Sequence, residues 1–118
     1  GESKFISESD EVNDVLKHYD IDGIEYKDGI PDFSPVSEGE ICYPDMSIDR
    51  NKNFKVADEL LAKQLEVPRK EITKLRKQGK FTWHELNDMK TMQLVPSIVN
   101  SKFGHLGGVA EIKKLLGI

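Results

Sequence analysis

Cys42 is the only cysteine in a chain of 118 residues, so no internal disulfide can form and there is no CxxC metal knuckle. No histidine adjoins it, and Glu40 to Pro44 reads as an edge strand, which makes Cys42 a half-buried strand residue rather than a nucleophile. No apolar run approaches the roughly 18–20 residues that a membrane span needs, and no charged-then-apolar leader stands at the amino end. Nothing in the sequence therefore suggests a membrane segment. The chain begins at Gly1 rather than Met, so the expectation is of a segment cut from something longer, with any delivery signal outside it. Histidine is also scarce, at three residues. His18 stands by itself in the amino half, which leaves His84 and His105 as the pair to explain.

At this length one domain is expected, and two independently active domains would not fit. Hydrophobic residues make up 37% of the chain and charged ones 32%, enough apolar material for a modest core and too much for disorder throughout. The net charge of −4 hides an uneven division. Residues 1–49 hold 14 acids and 3 bases, a balance of −11, whereas residues 50–118 hold 7 acids and 14 bases, a balance of +7. A basic half can draw in phosphates, and an acidic half can keep the chain soluble or present a face to a basic partner.

Patterning divides the chain into three regions. The first, 1–53, is acidic and turn-rich. Here Ser7 suits a helix cap with Asp10 completing a capping box, and Val12, Val15, Leu16 and Tyr19 follow at helical spacing. Asp22-Gly23 and Asp28-Gly29 are turn dipeptides around a short strand at Ile24 to Tyr26, Pro31 and Pro35 forbid a helix, and Glu40 to Tyr43 reads as another strand. The second region, 54–79, predicts two helices. The first runs from Phe54 to Leu65, with Asp58 and Glu59 near its positive end; the second is opened by Pro68 and closed at Gly79. Arg69, Lys70, Lys74, Arg76 and Lys77 give that second helix a basic exterior suited to nucleic-acid phosphates. In the third region, 80–118, Lys80 to Glu85 and Thr91 to Val95 form a hairpin about Asn87-Asp88. Pro96 then starts a helix broken at Gly104 and at Gly107-Gly108, and a last helix follows from Val109.

Strand, turn, strand and helix, with His84-Glu85 closing the first strand and Asn100 and His105 on the helical side, form a usable arrangement for phosphodiester hydrolysis. That reaction needs an attacking water, relief of charge on the phosphoryl oxygens and help for the leaving oxygen. Phe81-Thr82-Trp83-His84-Glu85, then Asp88, Thr91-Met92-Gln93-Leu94-Val95-Pro96, Asn100 and Gly104-His105-Leu106-Gly107-Gly108 closely resemble the WHH branch of the HNH (ββα-metal, His-Me finger) nuclease superfamily. Such domains form the toxic C-terminal ends of bacterial polymorphic toxins. The resemblance covers Thr82 to Glu111, and Pro31-Asp32-Phe33 resembles a short upstream element of the same toxins.

The resemblance implies an α+β fold with a ββα-metal motif at its C-terminal end. It also implies one divalent metal ion (Mg, Mn, Ni or Zn) held by His84, His105 and Asn100, and Glu85 as general base. The roles of His84 and Glu85 could be exchanged. Two departures stand out: Glu85 replaces a second histidine, and Asn100 stands where relatives carry one. Adjacent strand residues point to opposite faces, so His84 and Glu85 reach one site only where the strand ends or bends. Asp88 is expected to cap the turn or orient a ligand, Gly107 and Gly108 to allow close approach of backbone or phosphate, and Trp83, Met92 and Leu94 to be core. The implied function is a metal-dependent endonuclease acting on DNA rather than RNA. It would be delivered from a producing bacterium into the target-cell cytoplasm and neutralised in the producer by a cognate immunity protein. The competing reading is a non-catalytic nucleic-acid-binding or metal-stabilised module with a degenerated site.

Overall fold

Polar and apolar residues alternate at two periods along this chain, and the structure, a computed structural model that describes residues 2–104, follows both. The fold is mixed α+β. In chain order it runs β1 (Glu2–Phe5), α1 (Asp10–His18), β2 (Ile24–Lys27), β3 (Ile30–Pro31), a 3-10 turn (Ser34–Val36) and β4 (Gly39–Cys42). There follow α2 (Arg50–Leu65), α3 (Arg69–Gln78), β5 (Phe81–Glu85), β6 (Thr91–Pro96) and a helix over 97–104, α4. The described residues up to 36 and those from 96 onward form one compact unit, and 37–95 form another.

In the first unit the antiparallel sheet has the order β1-β2-β3. Asp28 and Gly29 both have positive φ, 53° and 80°, the geometry of a two-residue hairpin turn whose twist matches its strands. β1, which has no clear signal in the sequence, pairs with β2 from Glu2↔Lys27 to Phe5↔Ile24. Helix α1 is capped by Ser9 rather than Ser7: the Ser9 side chain accepts from the Val12 N–H, while the Ser7 hydroxyl accepts from the Ser9 N–H. Two serines compete for one cap, and the one adjoining the first helical turn takes it. The Tyr26 hydroxyl donates to the carbonyl of Phe103, tying this sheet to α4, and burial pushes the phenol up to about 12. Gly104, expected to break its helix, is still helical.

The second unit is built on the sheet β4-β6-β5. Ile41, Met92, Leu94 and Trp83 from its three strands share one core with Ala57, Leu61 and Ala62 of α2 and Ile72 of α3. Each large apolar side chain buried there contributes about 1.5–3 kcal/mol. The approach of β4 to α2 is close enough that a Cβ on Gly39 would stand 2.8 Å from a Leu61 methyl, so any larger residue there would force the buried Leu61 side chain to shift. Cys42 is exposed, not half-buried, because strand alternation turns Ile41 inward and Cys42 out.

Helix α2 begins four residues before the expected Phe54. The Asp49 side chain accepts from the Lys52 N–H at 3.2 Å, and the polar first turn Arg50–Asn53 carries no apolar signal that would have revealed it. Consequently Asp58 lies in mid-helix, not near the positive end. The α2 to α3 junction turns on Glu66 in the left-handed conformation, φ 57°, and Pro68, φ −65°, leads into α3, which Gly79 closes.

Candidate functional site

Strand β5 gathers the second unit's polar chemistry because its residues alternate between two environments. Trp83 is fully buried on the helix-facing side, and its indole N–H donates to Asp58 at 2.7 Å. Glu85, two residues on, faces the same way and also reaches α2: it accepts from Asn53 Nδ2 at 2.7 Å and from Arg50 Nε at 3.2 Å. Alternation therefore puts His84 on the other face, the one that carries Glu40 and Gln93. The Gln93 amide donates to Glu40 Oε1 at 2.9 Å on that face. β5 is an edge strand and ends at Glu85, so both faces meet at one open edge where His84 and Glu85 stand side by side in sequence.

Glu85 is held firmly. Asn53 is fully buried, and its amide spans two partners, donating to Ser47 O and to Glu85 while its carbonyl accepts from the Ser47 N–H and hydroxyl. With every polar atom engaged, Asn53 cannot rotate without leaving a buried group unpaired, a cost of about 1–3 kcal/mol. The Glu85 side chain nevertheless remains 21% exposed and lines a cleft of about 420 Å³ with Ser47, Arg50, Leu86, Asn87 and others. The Arg50 side chain is exposed at the rim, its guanidinium carbon 5.8 Å from the centre of the Phe54 ring.

Asp88 closes the turn between β5 and β6. Its carboxylate accepts from the Lys90 and Thr91 N–H groups and from the Thr91 hydroxyl, and these bonds hold its pKa below the usual carboxylate range, the hydroxyl contributing most. Asn100 lies in α4, partly buried, in the unit that holds 96–104, whereas His84 and Glu85 belong to the unit of 37–95. His105, Gly107 and Gly108 lie outside the described residues. Among the described residues no three His, Cys, Asp or Glu side chains gather closely enough to hold a metal ion.

On α3 the expected basic exterior is divided. Arg69, Lys70, Lys74 and Lys77 are exposed, but Arg76 turns inward, its side chain only 16% exposed, to form a bidentate pair with Asp58: Nε at 3.1 Å and Nη2 at 2.9 Å. Thr73 adds a hydroxyl at 2.8 Å, so the Asp58 carboxylate, 1% exposed, accepts four hydrogen bonds from α3 and β5. Asp58, Asn53 and Arg50 went unnoticed as interacting residues in the sequence. Asp58 had a signal: it sits in the apolar stripe Phe54, Ala57, Asp58, Leu61, where a charge needs a buried partner. Asn53 and Arg50 had none, since only the fold brings residue 85 to the start of α2.

The family model for the DNase/tRNase domain of colicin-like bacteriocins matches residues 23–107. No curated protein and no solved structure matches the chain. The matched span takes in the whole of the second unit, including β5 with His84 and Glu85, and part of the first, including Asn100, and extends to His105. The chain belongs to the family of colicin-like bacteriocin DNase/tRNase domains, and is a nuclease toxin domain.

Proposed function

We propose that this domain is a metal-dependent, HNH-type endonuclease that cuts DNA, the toxic half of a toxin–immunity pair acting in the cytoplasm of a target cell. The observation that carries the reading is the family match over residues 23–107, which includes every side chain proposed for the site. The basic balance of residues 50–118 supports a polyanionic substrate.

In the proposed site His84 and Glu85 come from the C-terminal end of β5, and the resemblance adds Asn100 and His105. His84, His105 and Asn100 offer two imidazole nitrogens and an amide oxygen, a donor set suited to a divalent ion that keeps positions open for substrate and water. When bound, that ion would stabilise charge on the phosphoryl and leaving oxygens. Glu85 takes the proton of the attacking water. Asn53 orients its carboxylate, and Arg50 at the cleft rim is placed to donate to a phosphate oxygen as well as to Glu85. His84 approaches the same strand end from the opposite face, so the phosphodiester would lie across the edge of β5.

Nicking of supercoiled plasmid, with and without chelator, tests this directly. The expected result is cleavage that EDTA abolishes and that His84→Ala lowers by two orders of magnitude or more, in line with the loss of one catalytic group, about 10²–10⁴-fold. Cleavage that survives EDTA would overturn the metal dependence, and a preference for tRNA over plasmid would overturn the DNA assignment. The full engagement of Glu85 by Arg50 and Asn53 also fits a second reading, a binding module in which Glu85 only staples β5 to α2. Absence of cleavage with every divalent ion, together with retained DNA binding, would favour it.

A further inference from the structure

The cleft of about 420 Å³ beside Glu85 is more apolar than a phosphate requires: Met46, Ile48, Leu86 and Met89 line it together with Glu85 and Arg50. Two of these apolar side chains stand in the open, Ile48 at 101% exposure and Met89 at 64%. Apolar residues exposed singly are ordinary, but these two come from separate connections, β4 to α2 and β5 to β6, and share one cleft. Neither connection is loose. Ile48 lies between Ser47, whose N–H and hydroxyl donate to the buried Asn53, and Asp49, which caps α2. Met89 is held at φ 62°, a conformation that glycine or asparagine adopts more readily, and its N–H donates to the Leu86 carbonyl at 3.2 Å. The fold thus presents two apolar side chains to water, from pinned backbone, beside the carboxylate proposed as the base.

We propose that Ile48 and Met89 are specificity-determining residues of the nuclease: they pack against the nucleoside next to the scissile phosphate and unstack one base step of a DNA duplex. The inference rests on the reading of Glu85 and Arg50 as groups that meet that phosphate. A base hangs one sugar away from its phosphate, so whatever else lines a cleft that takes the phosphate faces sugar and base. Phosphates are met by Arg, Lys, hydroxyls and amides, whereas apolar side chains serve contacts to bases. Isoleucine and methionine are among the side chains that proteins insert between base steps, prying them apart. Met89 is unbranched and polarisable, so it adapts to any base, and selection falls on how easily a step opens rather than on its letters. Pyrimidine–purine steps, TA and CA/TG, open most easily and are the expected cleavage sites.

Two measurements on the full chain test this, one without cleavage and one with it. In EDTA, binding to a duplex that carries 2-aminopurine at a central TA step should raise its fluorescence as the base leaves the stack, and Ile48→Ser combined with Met89→Ser should remove that rise. With divalent metal, cleavage of end-labelled duplex DNA should favour TA and CA/TG steps over AA steps by about tenfold, and the double variant should lose that preference together with about tenfold of its rate on paired DNA. A mismatch at the cut step, already cheap to open, should restore the variant to within about twofold of wild type. A general disturbance of the fold would instead lower cleavage of paired and mismatched DNA alike. While cleavage persists, an absent step preference, equal losses on both substrates or no fluorescence rise would each overturn this inference and leave the nuclease standing. A fluorescence rise without cleavage by any divalent ion would overturn the nuclease reading while supporting the base contact, and the absence of both signals would overturn both.

Discussion

Helix α2 meets its neighbours at two carboxylates, its own Asp58 and Glu85 of β5, and they are finished differently. At Asp58 the carboxylate is 1% exposed and closed on all sides by Thr73, Arg76 and Trp83. At the first turn, Asn53 and Arg50 hold Glu85 by two hydrogen bonds while its side chain stays 21% exposed beside a cleft. Phe54 stands between the two regions, its ring approached by Arg50 at 5.8 Å and by Arg76 at 5.4 Å. One carboxylate has been removed from water and has nothing left to do but hold α2, α3 and β5 together. The other has been oriented and left accessible, which is the condition for chemistry.

The sharpest way to break this contrast is to remove Asp58. Asp58→Ala leaves Arg76 buried without its partner and the Trp83 N–H unpaired, so unfolding free energy should fall by about 3–5 kcal/mol. Urea denaturation followed by tryptophan fluorescence measures it. A loss below about 1 kcal/mol would mean that the junction is a wet surface pair of the ordinary kind. Glu85→Gln should behave in the opposite manner. It keeps the shape and a hydrogen-bonding side chain at the rim, so stability should change by under about 1 kcal/mol, while plasmid cleavage falls about 10²–10⁴-fold if the carboxylate is the base. Equal losses of stability in both variants would erase the distinction drawn here.

A smaller effect is expected at Arg50. Its pair with Glu85 is largely solvent-exposed on the arginine side, so Arg50→Ala should alter stability by about 0–1 kcal/mol. Its effect should instead be seen in DNA binding, with the slope of log K against log salt reduced in magnitude by about 0.9 for one lost phosphate contact. An unchanged slope would leave Arg50 as a structural partner of Glu85 only.

The least effect belongs to Asp88. Its folded pKa is lowered by the Thr91 hydroxyl and by the Lys90 and Thr91 N–H groups, so the ionised form favours the folded hairpin. The contribution of such a group is fully present above its ordinary pKa, about 4, and is lost as pH falls through the lower folded value. The stability difference between wild type and Asp88→Asn should therefore be constant from neutrality down to about pH 5 and narrow below it. A difference that instead grows as pH falls would contradict the hydrogen bonding at this turn.

Much of this was written in the sequence because it is local. The hairpin of β5 and β6, α3 between Pro68 and Gly79, the Asp28-Gly29 turn and the placing of Trp83, Met92 and Leu94 in a core all rest on residues a few positions apart. Steric preference and period-2 or period-3.6 patterning act at that range. The motif from Trp83 to His105 likewise pointed to a nuclease of toxin type, and the bacteriocin family agrees at that level. Boundaries were less legible where a polar first turn hid the start of α2 and where Ser7 and Ser9 competed for one cap.

The sequence by itself determined most of the helices and strands, β1 and the first turn of α2 excepted, where the basic half lies and which residues carry candidate chemistry. Which charge is buried was decided only by the tertiary structure. Arg76 reads like its neighbours Lys74 and Lys77, yet it turns inward because Asp58, 18 residues earlier, is enclosed with it and needs a bidentate cation. Glu85 reads like any strand-end acid, yet it is aimed by Asn53 and Arg50, more than 30 residues away. The physical reason is one of range: backbone preference is set by adjacent residues, whereas desolvation and hydrogen-bond pairing of a charge depend on whatever the fold packs against it.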